Sequence, residues 1–156
     1  MAQLDDAKKL IRTADHMVYI TYPALKEGRL LVKVLEELHS AVEIIMLEML
    51  QHEYKFKRIQ LSNDPKMNFS IFEQKCALMY GLTKEQINDI KQIFLIYSAH
   101  KASPTEFVRQ TKFIIMSDNL RTESLTLLRM KSYLALAKDL VRKAEIKFSA
   151  ENRYEY

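Results

Sequence analysis

Two pairs of arginine and histidine have the residue types that RNA cleavage requires. A histidine can act as the general acid or base, and an arginine can bind the phosphate. Arg12 and His16 are four residues apart, which places them on one face of a helix. His100 is followed nine residues later by Arg109. All four are candidate catalytic residues, although the spacing of Arg12 and His16 is also typical of a surface pair on an amphipathic helix.

A metal site is the second chemistry to consider. Glu36 and His39 form a Glu-x-x-His motif, which di-iron helical bundles carry on each of two helices. This chain has one copy, and both residues lie off the apolar seam of Leu35 and Leu38, so a solvated polar face is the favoured interpretation. The other three histidines are scattered, whereas a zinc site needs clustered ligands. We therefore expect neither a metal nor a cofactor.

Cys76 and His52 favour structural roles. Cys76 lies on an apolar helix face, which is typical of a small buried side chain. It is the only cysteine, so there is no intrachain disulfide, as in reducing compartments. His52 lies on an apolar seam, where burial would require a partner such as Glu48. The chain has two glycines, too few for a glycine-rich phosphate-binding loop.

A basic and aromatic segment is the nucleic-acid-binding candidate. It consists of Tyr54, Lys55, Phe56, Lys57 and Arg58. Aromatic rings can stack on bases, and the cations can neutralise phosphates. The alternative interpretation is the C-terminal end of a helix, where the helix dipole favours cations. The net charge of +4 permits a polyanionic partner without requiring one.

Long helices must position these residues, because only two glycines and three prolines interrupt 156 residues. The apolar spacing predicts helices over residues 4–20, 29–58, 65–79, 83–100 and 127–148. Tyr22-Pro23 is expected to end the first of them. The resulting fold class is all-α, an up-down bundle of four to five main helices in one domain over residues 1–156.

Local signals mark several helix ends. Asp64-Pro65 and the Thr83–Gln86 capping box predict helix starts, and Gly81 predicts a left-handed stop. Ser103–Glu106 also fits a capping box, which predicts a short helix there. Residues 113–116 and 122–126 are strand-like around a turn, so a small hairpin within residues 113–126 is favoured over continued helix. The tail, residues 151–156, is expected to fray.

The middle of the second predicted helix indicates a self-association surface. Residues 44–47 are all apolar, so the helix lacks a polar side there. Such a helix must be covered on every side. Either it is the central helix of the fold or its outer face meets a second copy of the chain. Ile44, Met46 and Leu47 are therefore candidate dimer-interface residues.

Residues 7–50, AKKLIRTADHMVYITYPALKEGRLLVKVLEELHSAVEIIMLEML, resemble the opening helix pair of HEPN-type domains. The resemblance implies a small helical bundle, commonly homodimeric. It also implies RNA cleavage in toxin–antitoxin or defence systems, or partnership with a small nucleotidyltransferase. Ribonucleases of that family carry an arginine followed, after four to six residues, by a histidine. No arginine here has that spacing, since three residues separate Arg12 from His16, so the resemblance implies a non-catalytic relative.

The sequence therefore predicts a non-catalytic helical interaction or binding module that forms a homodimer. The alternative is an RNA-cleaving ribonuclease of the HEPN type, with RNA as its partner. The N-terminal sequence MAQLDDAKKL lacks the features of a signal peptide, and no apolar run reaches about 18 residues. We expect a cytoplasmic protein with no membrane association.

Overall fold

The computed structural model describes residues 2–152, which form five helical rods and one small sheet. The elements are α1 (Ala2–His16), a π-helical turn (Met17–Thr21), α2 (Tyr22–Leu25), α3 (Arg29–Lys55), α4 (Pro65–Ile71), a second π-helical turn (Phe72–Cys76), α5 (Ala77–Met79), α6 (Lys84–Ala102), β1 (Thr105–Arg109), β2 (Lys112–Met116), β3 (Thr122–Leu125) and α7 (Leu127–Asn152). Each π-helical turn runs directly into its neighbouring helices. The predicted helical bundle is therefore confirmed in outline.

The helix α3 is the centre of the bundle and packs against α1, α6, α7 and the sheet. Two ion pairs show that α1 and α7 run antiparallel: Lys8 pairs with Glu145 at 2.6 Å, and Asp15 pairs with Lys138 at 2.5 Å. The apolar residues whose three- and four-residue spacing predicts the first helix are all buried, and so is most of the α3 seam; they are Leu4, Ala7, Ile11, Ala14 and Val18. Among residues 2–152, no helix has the length and apolar character needed to cross a bilayer.

Three local start and stop signals mark helix boundaries as predicted. The Asp64 carboxylate accepts a hydrogen bond from the Lys66 amide at 3.0 Å and caps α4. Thr83 and Gln86 form the reciprocal capping box at the start of α6. Gly81 has a φ of 70°, which ends the rod containing α5 in the left-handed region. These signals work because each involves only neighbouring residues.

Three predicted helix ends are wrong. The first rod does not stop at Tyr22-Pro23 but continues to Leu25. A π-helical turn precedes Pro23, and such a local adjustment lets a helix tolerate a proline. The helix α3 ends at Lys55 rather than at residue 58. Residues 151 and 152, expected to fray, complete α7, and residues 153–156 lie outside the described part of the chain.

A three-stranded antiparallel sheet, in the order β1-β2-β3, contains the predicted hairpin and adds the strand β1 to it. The strands β2 and β3 form that hairpin, with Ile114 opposite Ser124. The predicted helix at residues 103–106 is wrong, because this segment leads into β1. The Ser103 hydroxyl accepts from the Thr105 amide at 3.3 Å and donates to the Met116 carbonyl at 2.6 Å. Ser103 therefore ties β1 to β2 instead of capping a helix.

Close contact with the start of α3 anchors the sheet. A Cβ on Gly28 would lie 2.9 Å from Cγ1 of Val108 and 3.1 Å from the Lys112 carbonyl oxygen. The Tyr22 hydroxyl donates a hydrogen bond to the Thr111 carbonyl at 3.0 Å. The turn between β1 and β2 consequently packs directly on the connection between α2 and α3.

Candidate functional site

An apolar groove of about 670 Å³ lies between α3, α4 and α6, and we call it the α3–α4–α6 groove. Its apolar lining comprises Met46, Leu47, Pro65, Phe69, Phe94 and Leu95, and its polar lining comprises His39, Glu43, Lys66, Asn68, Lys91 and Ser98. Leu47 is 42% exposed and Leu95 is 62% exposed. Half of the lining residues are polar, but most of the exposed lining surface is apolar, as is typical of binding sites.

The predicted dimer candidates have different surroundings. Met46 and Leu47 line the groove, whereas Ile44 is half-buried and packs against the core. The continuous apolar run at residues 44–47 is therefore explained mainly by the central position of α3. Leu47 is the member of the run that stays exposed.

His39 lies on the α3 wall of this groove, and its expected position on a solvated face is wrong. Its side chain is buried because α6 covers this side of α3. The imidazole stacks on Tyr97, with ring centroids 3.6 Å apart, and meets the Phe94 ring edge-on at 5.2 Å. Burial lowers the pKa of His39, although the Glu43 carboxylate opposes the shift. The neutral ring is favoured, so this wall of the groove is aromatic rather than cationic.

His100 lies between two carboxylates rather than beside the predicted Arg109. Its Nδ1 is 2.7 Å from Oε1 of Glu106, and its Nε2 is 3.1 Å from Oε1 of Glu36. Carboxylates only accept hydrogen bonds, so the doubly protonated ring satisfies both contacts and the neutral ring satisfies one. The arrangement joins α3, α6 and β1. It explains both Glu36 and His100 structurally, without a metal ion.

Arg12 and His16 lie together, as their spacing predicts. They line a shallow depression of about 430 Å³ on α1, with Lys9, Thr13 and Met17 as the other lining residues. Both side chains are exposed. Nδ1 of His16 is 3.3 Å from the Thr21 hydroxyl, in the π-helical turn. The depression is basic and open to solvent. It therefore suits the binding of an anion better than a reaction from which water must be excluded.

The basic segment at the end of α3 only partly suits a nucleic acid. Tyr54, Lys55 and Lys57 are exposed. The Phe56 ring, however, packs on His52 at 4.8 Å and is covered by the Arg58 guanidinium, also at 4.8 Å. Stacking on Phe56 would therefore displace an internal contact.

Arg58 belongs to a charged cluster that links α3 to α7. Its Nη1 donates to Oε2 of Glu53 at 2.9 Å, and its Nη2 donates to Oε2 of Glu151. The Glu53 side chain is completely buried. Nζ of Lys147 lies 3.6 Å from Oε1 of Glu53 and 3.1 Å from Oε1 of Glu151. His52 completes the cluster, since its Nε2 lies 3.4 Å from Oε1 of Glu151, a carboxylate partner of the kind that its burial was expected to require.

The charged cluster contains side chains that could bind a metal ion, but its own cations already neutralise the carboxylates. One ligand atom each of His52, Glu53 and Glu151 lies within 4.8 Å of the others. Arg58 and Lys147 balance the two carboxylates, so a divalent ion would add uncompensated positive charge. Cys76 adds no nucleophile, because burial, assisted by the Glu53 carboxylate, raises the pKa of its thiol to about 12.

Glu53 and the groove lysines were missed in the sequence. Glu53 sits next to the apolar seam residue His52 and resembles any exposed glutamate in a charged helix end. Lys66 and Lys91 belong to different helices, so no spacing along the chain relates them. The apolar Leu95, next to Phe94 in the helix predicted over residues 83–100, was the available signal for the groove.

Searches of family models, curated proteins and solved structures found nothing that matches this chain. The resemblance to HEPN-type domains stays a prediction.

Proposed function

We propose that this chain is a non-catalytic helical interaction module that pairs with a second copy of itself through the α3–α4–α6 groove. The observation that carries the proposal is an exposed leucine on each of two walls of an apolar groove. Leu47 projects from α3, and Leu95 projects from α6.

Two-fold symmetry allows a second copy to be the occupant. In a two-fold dimer, each copy contributes the same surface patch. A projecting Leu47 can enter the partner's groove while the partner's Leu47 enters this one. Both leucines then leave water, which stabilises a dimer by roughly 25 cal/mol per Å² of apolar surface covered.

The test is the molar mass in solution at micromolar concentration, measured by light scattering or sedimentation equilibrium. We expect twice the monomer mass for the unaltered chain and the monomer mass for Leu47→Glu and Leu95→Glu. The matched control is Leu128→Glu, because Leu128 is 80% exposed on α7 and lies outside the groove. Circular dichroism confirms that each variant is folded.

A monomeric unaltered chain, or a dimer that Leu47→Glu and Leu95→Glu leave intact, would refute self-association through this groove. The next occupant to test would then be a small nucleotidyltransferase, the partner that the HEPN resemblance implies. Direct titration of the purified pair, with Leu95→Glu as the control, would measure that interaction.

RNA cleavage is the second candidate function. The depression on α1 is a better candidate site for it than the surroundings of His100. Lys9, Arg12 and His16 meet there in the open. A histidine for proton transfer and two cations for phosphate are the groups such a reaction needs. At His100, both ring nitrogens face carboxylates instead.

An assay of the purified protein on total RNA tests this candidate. If it is right, cleavage occurs and disappears in both Arg12→Ala and His16→Ala. Arg109→Ala is the control, because this exposed arginine lies outside the depression. Intact RNA with the unaltered chain excludes the candidate under those conditions and leaves the interaction module.

A further inference from the structure

The face of α3 that carries Leu47 also carries a negative charge. Glu43 lies one turn before Leu47, and residues four apart in a helix share a face. The Glu43 side chain is 48% exposed. Any partner groove that receives Leu47 therefore comes close to this carboxylate as well.

The other walls of the α3–α4–α6 groove carry positive charge. Lys66 lies in the first turn of α4, and Lys91 lies on α6. Glu73 already pairs with Lys91 at 2.9 Å. Lys66 is exposed, and no described acidic group forms an ion pair with it. The α3 wall thus offers the Glu43 carboxylate, whose Oε2 lies 3.7 Å from Nε2 of the buried His39, while the first turn of α4 offers the Lys66 ammonium group.

We propose that Glu43 of each copy pairs with Lys66 of the other copy when Leu47 enters the groove. This inference rests on the proposed self-association and specifies how the two copies are aligned. Two-fold symmetry forms the pair twice, because each copy supplies both a Glu43 and a Lys66. Such charge pairs fix the register of an interface more than they raise its affinity.

Charge reversal tests the alignment. Glu43→Lys places two ammonium groups at both symmetric positions, and Lys66→Glu places two carboxylates there. We expect each variant alone to weaken the dimer by about 10- to 100-fold, since two attractions become two repulsions. An equimolar mixture of the two variants restores opposite charges at both positions. It should form a heterodimer close to the unaltered affinity, measured by sedimentation equilibrium or titration of labelled chain.

The matched controls are Glu85→Lys and Lys84→Glu, two exposed charges in the first turn of α6 that lie outside the groove. They should leave the dimer unchanged. Added salt should narrow the difference between the unaltered chain and the single reversals.

The outcomes separate the alignment from the proposed function. An unaltered dimer that either reversal leaves intact, or a mixture that does not recover, overturns the Glu43–Lys66 alignment while self-association stands. A monomeric unaltered chain overturns both. Weakening by each reversal together with recovery in the mixture supports the alignment.

Discussion

Replacing Arg58 by methionine should destabilise the fold, because it leaves the buried Glu53 carboxylate without its charged hydrogen-bond donor. Nη1 of Arg58 lies 2.9 Å from Oε2 of Glu53, whose side chain is 0% exposed. Oε1 of Glu53 has no hydrogen-bond partner. The second cation, Nζ of Lys147, is 3.6 Å from that oxygen and cannot replace both interactions of the guanidinium group.

The expected loss is about 2–3 kcal/mol in the free energy of unfolding. Removing one partner of a fully buried ion pair typically costs about 3–5 kcal/mol. The Arg58 side chain is 35% exposed, so water partly replaces it and the loss is smaller. With a urea slope of about 2 kcal/mol per M, the midpoint should fall by about 1–1.5 M.

Urea unfolding followed by circular dichroism measures this loss, and Glu53→Gln provides the matched comparison. That substitution removes the buried charge and leaves Arg58 bound to Glu151, so it should cost only about 1 kcal/mol. The double variant should lose at least about 1 kcal/mol less than the sum of the single losses. A loss below about 0.5 kcal/mol for Arg58→Met, or additive losses, would refute this account of the charged cluster.

Three other changes have predicted outcomes. Hydrogen bonding by Arg58 lowers the pKa of Glu151 from 4.5 to about 2. The ionised Glu151 therefore stabilises the fold above pH 4.5, and this stabilisation is lost as the pH falls towards 2. Acid unfolding should begin at higher pH in Glu151→Gln. Burial lowers the pKa of His39 below 6.5, so protonation of His39 destabilises the fold below that pH. Between pH 7 and 5, the urea midpoint of His39→Gln should therefore change less than that of the unaltered chain. In Gly81→Ala, the added Cβ meets no atom within 4 Å, but the residue keeps a φ of 70°. Thermal unfolding should therefore show a free energy of unfolding lower by about 1 kcal/mol, from backbone strain alone. An unchanged midpoint would show that the turn relaxes.

The helices were predictable wherever short-range chemistry decides them. Asp64 caps α4 through an amide two residues away, and Thr83 exchanges hydrogen bonds with Gln86 three residues away. Ser103 carries the same kind of signal, yet it precedes a strand. Its hydroxyl binds the Met116 carbonyl, thirteen residues away in β2. A competing long-range pairing therefore overrides the local signal, and spacing alone does not reveal it.

The candidate sites show the same division. Arg12 and His16 share a helix face, so the sequence predicts their proximity correctly. The partners of His100 come from α3 and β1, and His39 is buried by α6 rather than by its own helix. Helical periodicity indicates which face of α3 is apolar. It does not indicate which neighbouring element covers a polar residue on another face.

The charged cluster also has a consequence for the order of events during synthesis. Arg58 and Glu151 are 93 residues apart in the chain. At about 5–20 residues per second, the ribosome adds Glu151 on the order of 5–20 s after Arg58. Lys147 arrives almost as late, so until then Glu53 has Arg58 as its only cation from this cluster. Without Lys147, Oε1 of Glu53 has no nearby cation from the cluster, and burying a carboxylate oxygen without a partner is unfavourable. The C-terminal end of α3 should therefore stay hydrated on the nascent chain and close only when α7 docks.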